Sequence, residues 1–266
     1  MIKSIKTELK KAFTDSGIWI AILSIFAINL LNLLDEMSIH PTHDSGFVLY
    51  FWVHRHGLGG FSRLLLLFSS LPYAVRSCNE RADGSIKDYM IREKFYPYVT
   101  GKIVTTIVTG ILACFIAYVL LLAALSCKYG MFPPEQDYEY CANLVDIHMF
   151  QGLAMDHRVL FFFADIVPEI LIFTFLSMVS LLISAYTKNK YVVMTSPLLV
   201  YYGWNYITGT FGLPEIFQWP LKLRFGFQFF SDDLSNLAFN CIYFFAGMCA
   251  LGFVYCRKMK EVKENV

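Results

Sequence analysis

Long stretches free of Asp, Glu, Lys and Arg alternate along the chain with short charged segments. A bilayer core about 30 Å thick is crossed by roughly 20 apolar residues in a helix. Five stretches reach that range and predict spans over residues 18–34, 103–125, 167–186, 191–209 and 236–256. A sixth, over residues 58–76, is weaker, because Arg63 interrupts it and Pro72 sits near its end. Basic residues arbitrate, since Lys and Arg concentrate in short cytoplasmic loops. With six spans and the N-terminus inside, 16 of the 22 Lys and Arg fall on the cytoplasmic side. Without the weak span only 8 do. Glu135, Asp137, Glu139, Asp146 and Asp156 then crowd one outer loop. The pattern predicts an all-α polytopic membrane protein, one domain over residues 1–266, with six transmembrane helices and both termini in the cytoplasm. The first apolar run has the length of a span and no small-residue cleavage site after it, so it reads as helix one rather than a signal peptide.

Between the spans the periodicity changes character. Ile2, Ile5, Leu9 and Phe13 recur at helical spacing among Lys3, Lys6, Lys10 and Lys11, which predicts an N-terminal amphipathic interfacial helix; a frayed basic terminus is the alternative. Residues 14–17 (Thr-Asp-Ser-Gly) mark a break before the first span. Between spans two and three, Ser85 and Asp88 form a capping pair that would start a short cytoplasmic helix with Ile86, Tyr89 and Met90 on one face, and Pro97 would stop it. Such a helix has nothing of its own chain to pack against. A solvated charged loop is the other reading of the segment. Phe211, Phe217, Trp219, Phe225, Phe227, Phe229 and Phe230 flank Pro214 and Pro220, a pattern of short outer interfacial or re-entrant helices before helix 6.

Composition agrees with a lipid-embedded chain: 56% of residues are hydrophobic and 16% charged, against roughly 25% charged in soluble domains. The net charge of +1 hides the asymmetry of the loops and says nothing about nucleic acid, but outside the membrane edges there is no basic patch with interleaved aromatics, so no nucleic-acid partner is expected. Cys127 and Cys141 both fall on the outer side, where a disulfide could close the loop between them. His40, His43, His54 and His56 have no nearby Cys and read as solvated or interfacial rather than as metal ligands. Asp165 and Glu169, one helical turn apart, fall at the expected outer end of span four, which favours interfacial hydration over a substrate-lining role. The chain carries no HExxH, GxSxG or phosphate-loop motif. Around Gly101-Lys102, Tyr96 stands where the first phosphate-loop glycine belongs and Ile103 where Ser or Thr should bind magnesium. No catalytic residue is predicted.

The turn Glu80-Arg81-Ala82-Asp83-Gly84-Ser85-Ile86-Lys87, followed by Arg92, Tyr96 and Lys102 at the start of span three, is similar to the Glu, Gly, basic-residue and membrane-re-entry Lys pattern of type-2 ABC exporter permeases. Nearly the whole layout resembles that family. The resemblance implies a permease domain in a bacterial plasma membrane, with residues 79–93 as a coupling helix docked on separate ATPase subunits. Glu80, Arg81, Gly84, Ile86, Tyr89 and Met90 would be the coupling residues. It also implies a second permease chain, identical or related, and lipid as surroundings. ATP and Mg would be held by the ATPase, with no cofactor in this chain. The aromatic outer surface suits an amphipathic substrate such as a peptide, lipid or drug; no substrate-binding residue is assigned. An ion- or proton-coupled carrier is the alternative, and an intramembrane enzyme the third reading.

Overall fold

A computed structural model describes residues 2–39, 50, 64–86, 89, 94–129, 158–214, 217 and 232–264. Among them the chain is helical throughout, without strands. The elements are α1 (Ile2–Thr14), α2 (Ser16–Ile39), α3 (Leu65–Phe68), α4 (Ala74–Ala82), α5 (Phe95–Tyr129), α6 (Arg158–Ser184), α7 (Lys190–Thr210) and α8 (Asp233–Glu264). Four helices are long and apolar enough to cross a membrane, over Ser16–Leu34, Phe95–Lys128, Val159–Ser184 and Leu234–Glu264.

The two other expected spans behave differently. Over residues 64–82 the chain is broken: α3 ends at Ser69, the chain turns through Leu71 and Pro72, and α4 restarts at Ala74. Pro72 has no N–H to give an upstream carbonyl, and Ser69 and Ser70 turn their hydroxyls back onto the carbonyls of Leu66 and Leu67. Residues 58–63 lie outside the described part. The span expected over residues 191–209 is a helix of 21 residues, Lys190–Thr210. It is long enough to cross, but Tyr, Asn, Thr and Gly replace much of the apolar content.

Expected boundaries shift where charge or proline was read as a stop. Pro97 opens α5 rather than ending a preceding helix, because in a first turn its missing N–H has no partner to lose. At about 1.5 Å per residue α5 is about 50 Å long, more than a bilayer core about 30 Å thick requires. α6 begins at Arg158 and carries Asp165, Pro168 and Glu169 inside it, since the apolar run Val159 to Ala164 extends the helix before the acids. The N-terminal residues form the helix α1, and Asp15 ends it: its carboxylate accepts the amide of Gly17 and starts α2. Of the segment 211–230 expected to form short outer helices before helix 6, residues 211–214 and 217 are described, with Phe211 capping α7, and the rest lies outside the described part.

α6 is the centre of the bundle, with α5, α7, α8 and α4 packed around it and α2 against α5. Small residues allow the close approach, as is usual where lipid supplies no hydrophobic drive between helices. A Cβ on Gly110 of α5 would meet the Ser177 hydroxyl at 3.2 Å and Thr174 Cα at 3.3 Å. Ser177 also donates across to the Ser69 carbonyl at the break, 2.6 Å away. A Cβ on Gly17 would sit 2.5 Å from the Leu71 carbonyl oxygen, so the α1–α2 corner is seated directly on that break. Gly17→Ala should therefore lower stability by about 1–3 kcal/mol, as overpacking does. Thermal unfolding in detergent checks it, with Gly203→Ala as control, since nothing lies within 4 Å of a Cβ there.

Candidate functional site

At the end of the bundle where α1, α4 and the foot of α5 meet, a fully buried ammonium organises the surroundings. Lys102 has no solvent exposure, although it lies in the third turn of a helix that carries no other charged residue before Lys128. Its Nζ is 2.5 Å from Glu80 Oε2 of α4 and 3.9 Å from Glu8 Oε2 of α1, and it donates to the Tyr73 hydroxyl at 3.3 Å. The rings of Tyr73 and Tyr98 flank it at 5.2 and 5.0 Å. Tyr73 in turn donates to Glu8. α1 passes over Gly101, where a Cβ would make an ordinary contact 3.5 Å from the Glu8 side chain.

A half-exposed outer ring closes the cluster. Lys11 pairs with Glu8 at 2.5 Å and lies 3.8 Å over the Tyr89 ring. Arg76 reaches Asp15 at 3.1 Å, the Lys11 carbonyl at 2.9 Å and Glu80 at 3.4 Å. Arg81 donates to the Ser184 carbonyl at the C-terminus of α6, 3.1 Å away, where a cation suits the exposed carbonyls. The cluster thus fastens four separate chain segments, α1, α4, α5 and the end of α6, at one end of the bundle.

The predicted coupling residues divide. Glu80 and Ile86 are buried, at 8% and 4% exposure. Tyr89 stacks on Tyr98 with ring centroids 6.2 Å apart. The expectation that this segment has nothing of its own chain to pack against is therefore corrected: Ile86 and Tyr89 join the core of Tyr73, Cys78 and Val99. Ser85 donates to the Glu80 carbonyl at 3.0 Å, continuing the turn after α4. Gly84 adopts φ of +76°, a conformation that glycine takes without strain. Asn79, Ala82, Asp83 and Gly84 form the exposed tip. Met90, Asp88, Lys87 and Arg92 lie outside the described residues. So does Cys141, the proposed partner of the exposed Cys127, and so do all four histidines considered for metal. No group of metal-binding side chains occurs among the described residues.

Sequence reasoning missed Glu8, Asp15 and Tyr73. The available signal was Glu8 itself, the one acid in a helix of lysines, on the same face as Ser4 and Ala12. A second polar group lies deeper. Tyr50 donates to Asp165 at 2.9 Å, and Tyr118 of α5 donates to Glu169. Glu169 is buried and stands 11 residues into α6, about 16 Å from its start. The expected position at the outer end of the helix is corrected, because the helix begins well before the acids. No family model, curated protein or solved structure matches this chain.

Burial alone would raise the pKa of Glu8, but Lys102, with hydrogen bonds from Lys11 and Tyr73, outweighs it and holds the carboxyl below its ordinary 4.5. A lowered folded-state pKa contributes stability that is complete above about pH 4.5 and is lost as pH falls through the folded value. Unfolding midpoints should thus drop on acidification below about pH 4.5, and Glu8→Gln should flatten that slope. Lys102→Met, which removes the fully buried cation and leaves Glu8 to Lys11 and Glu80 to Arg76, should cost about 3 kcal/mol at pH 7, the low end for breaking a buried ion pair. Denaturation followed by tryptophan fluorescence measures both.

Proposed function

We propose that this chain is the transmembrane subunit of an ATP-driven ABC exporter. It works with a second permease chain and separate ATPase subunits that hold ATP and Mg, and it moves an amphipathic substrate such as a peptide, lipid or drug. In this reading the broken segment around residues 58–76 and α7 complete six spans in a plasma membrane, and both termini face the cytoplasm.

The observation that carries the reading is the buried joint of Lys102, Glu80 and Glu8. An ATPase that pushes on a loop moves spans only if the loop is mechanically continuous with them. The joint supports that continuity, linking the turn after α4 to the foot of a helix about 50 Å long. Docking then falls on the exposed tip, Ala82, Asp83 and Gly84, while Glu80, Arg81, Ile86 and Tyr89 transmit the displacement to α1, α5 and α6. Closure of two ATPases would switch two permease chains between packings as rigid bodies. Ala82→Arg should abolish co-purification with an ATP-hydrolysing subunit and leave the unfolding midpoint unchanged. Substrate movement in vesicles containing this chain alone, driven by an ion gradient, is the contrary result.

The second reading, a proton-coupled carrier, is favoured by the depth and burial of Glu169 beside Asp165, since carboxylates near the midplane mark proton and ion paths. Under it, Glu169→Gln would abolish gradient-driven uptake in vesicles. The exporter reading expects ATP-driven transport to persist in that variant, within about threefold of the parent.

A further inference from the structure

We infer that the outward face of α1 is a docking surface for anionic phospholipid headgroups. At 3.6 residues per turn, Ser4, Glu8 and Ala12 form one face of α1, and it is the buried one, turned to α5 and the Lys102 joint. Lys3, Lys6, Lys10 and Phe13 form the face directly opposite, and all four are exposed. Between the two faces, one flank carries Ile2, Ile5 and Leu9, the other Thr7, Lys11 and Thr14. The helix therefore has four sides of distinct chemistry: protein, hydrocarbon, water and a basic stripe.

Which surroundings the basic stripe meets is fixed by Trp19. It lies on the exposed outer side of α2, 53% accessible, beside Ile20 and Leu23, which are 47% and 62% accessible. Its indole N–H donates to the Phe13 carbonyl at 3.3 Å. Tryptophan in the first turn of a spanning helix sits at headgroup depth. The stripe that ends at Phe13 therefore runs sideways into the headgroup layer rather than into open water. Charge complementarity names the occupant. Glu8, the one acid of α1, is drawn inward by Lys102, and no described carboxylate pairs with Lys3, Lys6 or Lys10. Three positive charges without a counter-charge among the described residues, at headgroup depth and flanked by Ile2 and Phe13, fit the phosphates of anionic lipids. Because the opposite face of the same helix carries Glu8, lipid held on the stripe also positions one wall of the joint.

The inference rests on the membrane-spanning reading of α2 and not on the presence of an ATPase. Purified full-length chain is titrated in detergent with short-chain phosphatidylglycerol, and binding is followed by native mass spectrometry. The expected result is saturable binding that weakens with added salt. The triple variant Lys3→Gln, Lys6→Gln, Lys10→Gln should bind at least about tenfold more weakly, given roughly 1 kcal/mol per basic residue near an anionic surface. The corresponding triple Arg variant should retain binding, which separates lost charge from lost folding. Unchanged affinity in the Gln variant would overturn the inference, as would equally tight binding of short-chain phosphatidylcholine. Displacement by inorganic phosphate beyond that by chloride at equal ionic strength would mark a soluble anion site and overturn it too. Chain that binds phosphatidylglycerol but never co-purifies with an ATPase would sink the exporter proposal alone.

Discussion

A lysine ammonium cannot be removed from water without a counter-charge close by, and Lys102 is removed completely. The arrangement of the surrounding chain segments follows from that requirement. The helix that carries Lys102 offers no acid in its own first turns, so the carboxylates come from elsewhere, Glu80 from α4 and Glu8 from α1. Supplying Glu80 fixes how α4 emerges from the break at Ser69–Tyr73. Supplying Glu8 sets the N-terminal helix over Gly101, with Lys11 inside the cluster and Lys3, Lys6 and Lys10 on the far side. Tyr73 and Tyr98 satisfy what remains, one with its hydroxyl and both with their ring faces.

Deeper in the bundle the constraint changes from charge to closeness. Lipid tails are as apolar as leucine, so spanning helices associate through packing and hydrogen bonds. α6 meets its neighbours at Gly110 of α5 and Gly247 of α8, where a Cβ would come within 2.8 Å of the Phe175 ring. Serine and threonine hydroxyls along α6 mostly turn back onto their own helix, as Ser180 does to Leu176. Ser177 additionally ties α6 to the break before α4. Charge at the edge and small residues in the middle thus hold the same segment, residues 69–82, from two sides.

Helices without breakers were legible in the sequence. Residues 18–34, 103–125 and 236–256 fall within α2, α5 and α8, and the amphipathic first helix is α1. Their ends were less legible, for two physical reasons. Proline at the start of α5 has the same sequence signature as proline that stops a preceding helix, and only the direction of packing separates them. Acids inside α6 were read as a boundary because hydropathy prices a carboxylate as if it were exposed, whereas Tyr50 and Tyr118 supply donors from distant parts of the chain. The site was legible in its motif and illegible in its contacts. Glu80, Gly84 and Lys102 stand in the segment that carries the resemblance to exporter permeases, and Lys102 is not among the coupling residues that resemblance implies. That Glu8 and Tyr73 complete the cluster depends on sequence separations of 65 and 29 residues, which no local pattern records. Ile86 and Tyr89 also face inward, Ile86 in the core with Tyr98 and Tyr89 between Tyr98 and Lys11.

The central claim is that Lys102 and Glu80 act as one unit joining the turn after α4 to the long helix behind it. A double-mutant cycle on Lys102→Met and Glu80→Gln, read by unfolding midpoints in detergent at pH 7, tests it most directly. Each single variant should be strongly destabilised and the double much less than their sum, with a coupling energy of about 1–3 kcal/mol as expected for residues in one buried network. Additive losses, with coupling within about 0.5 kcal/mol of zero, would contradict the account.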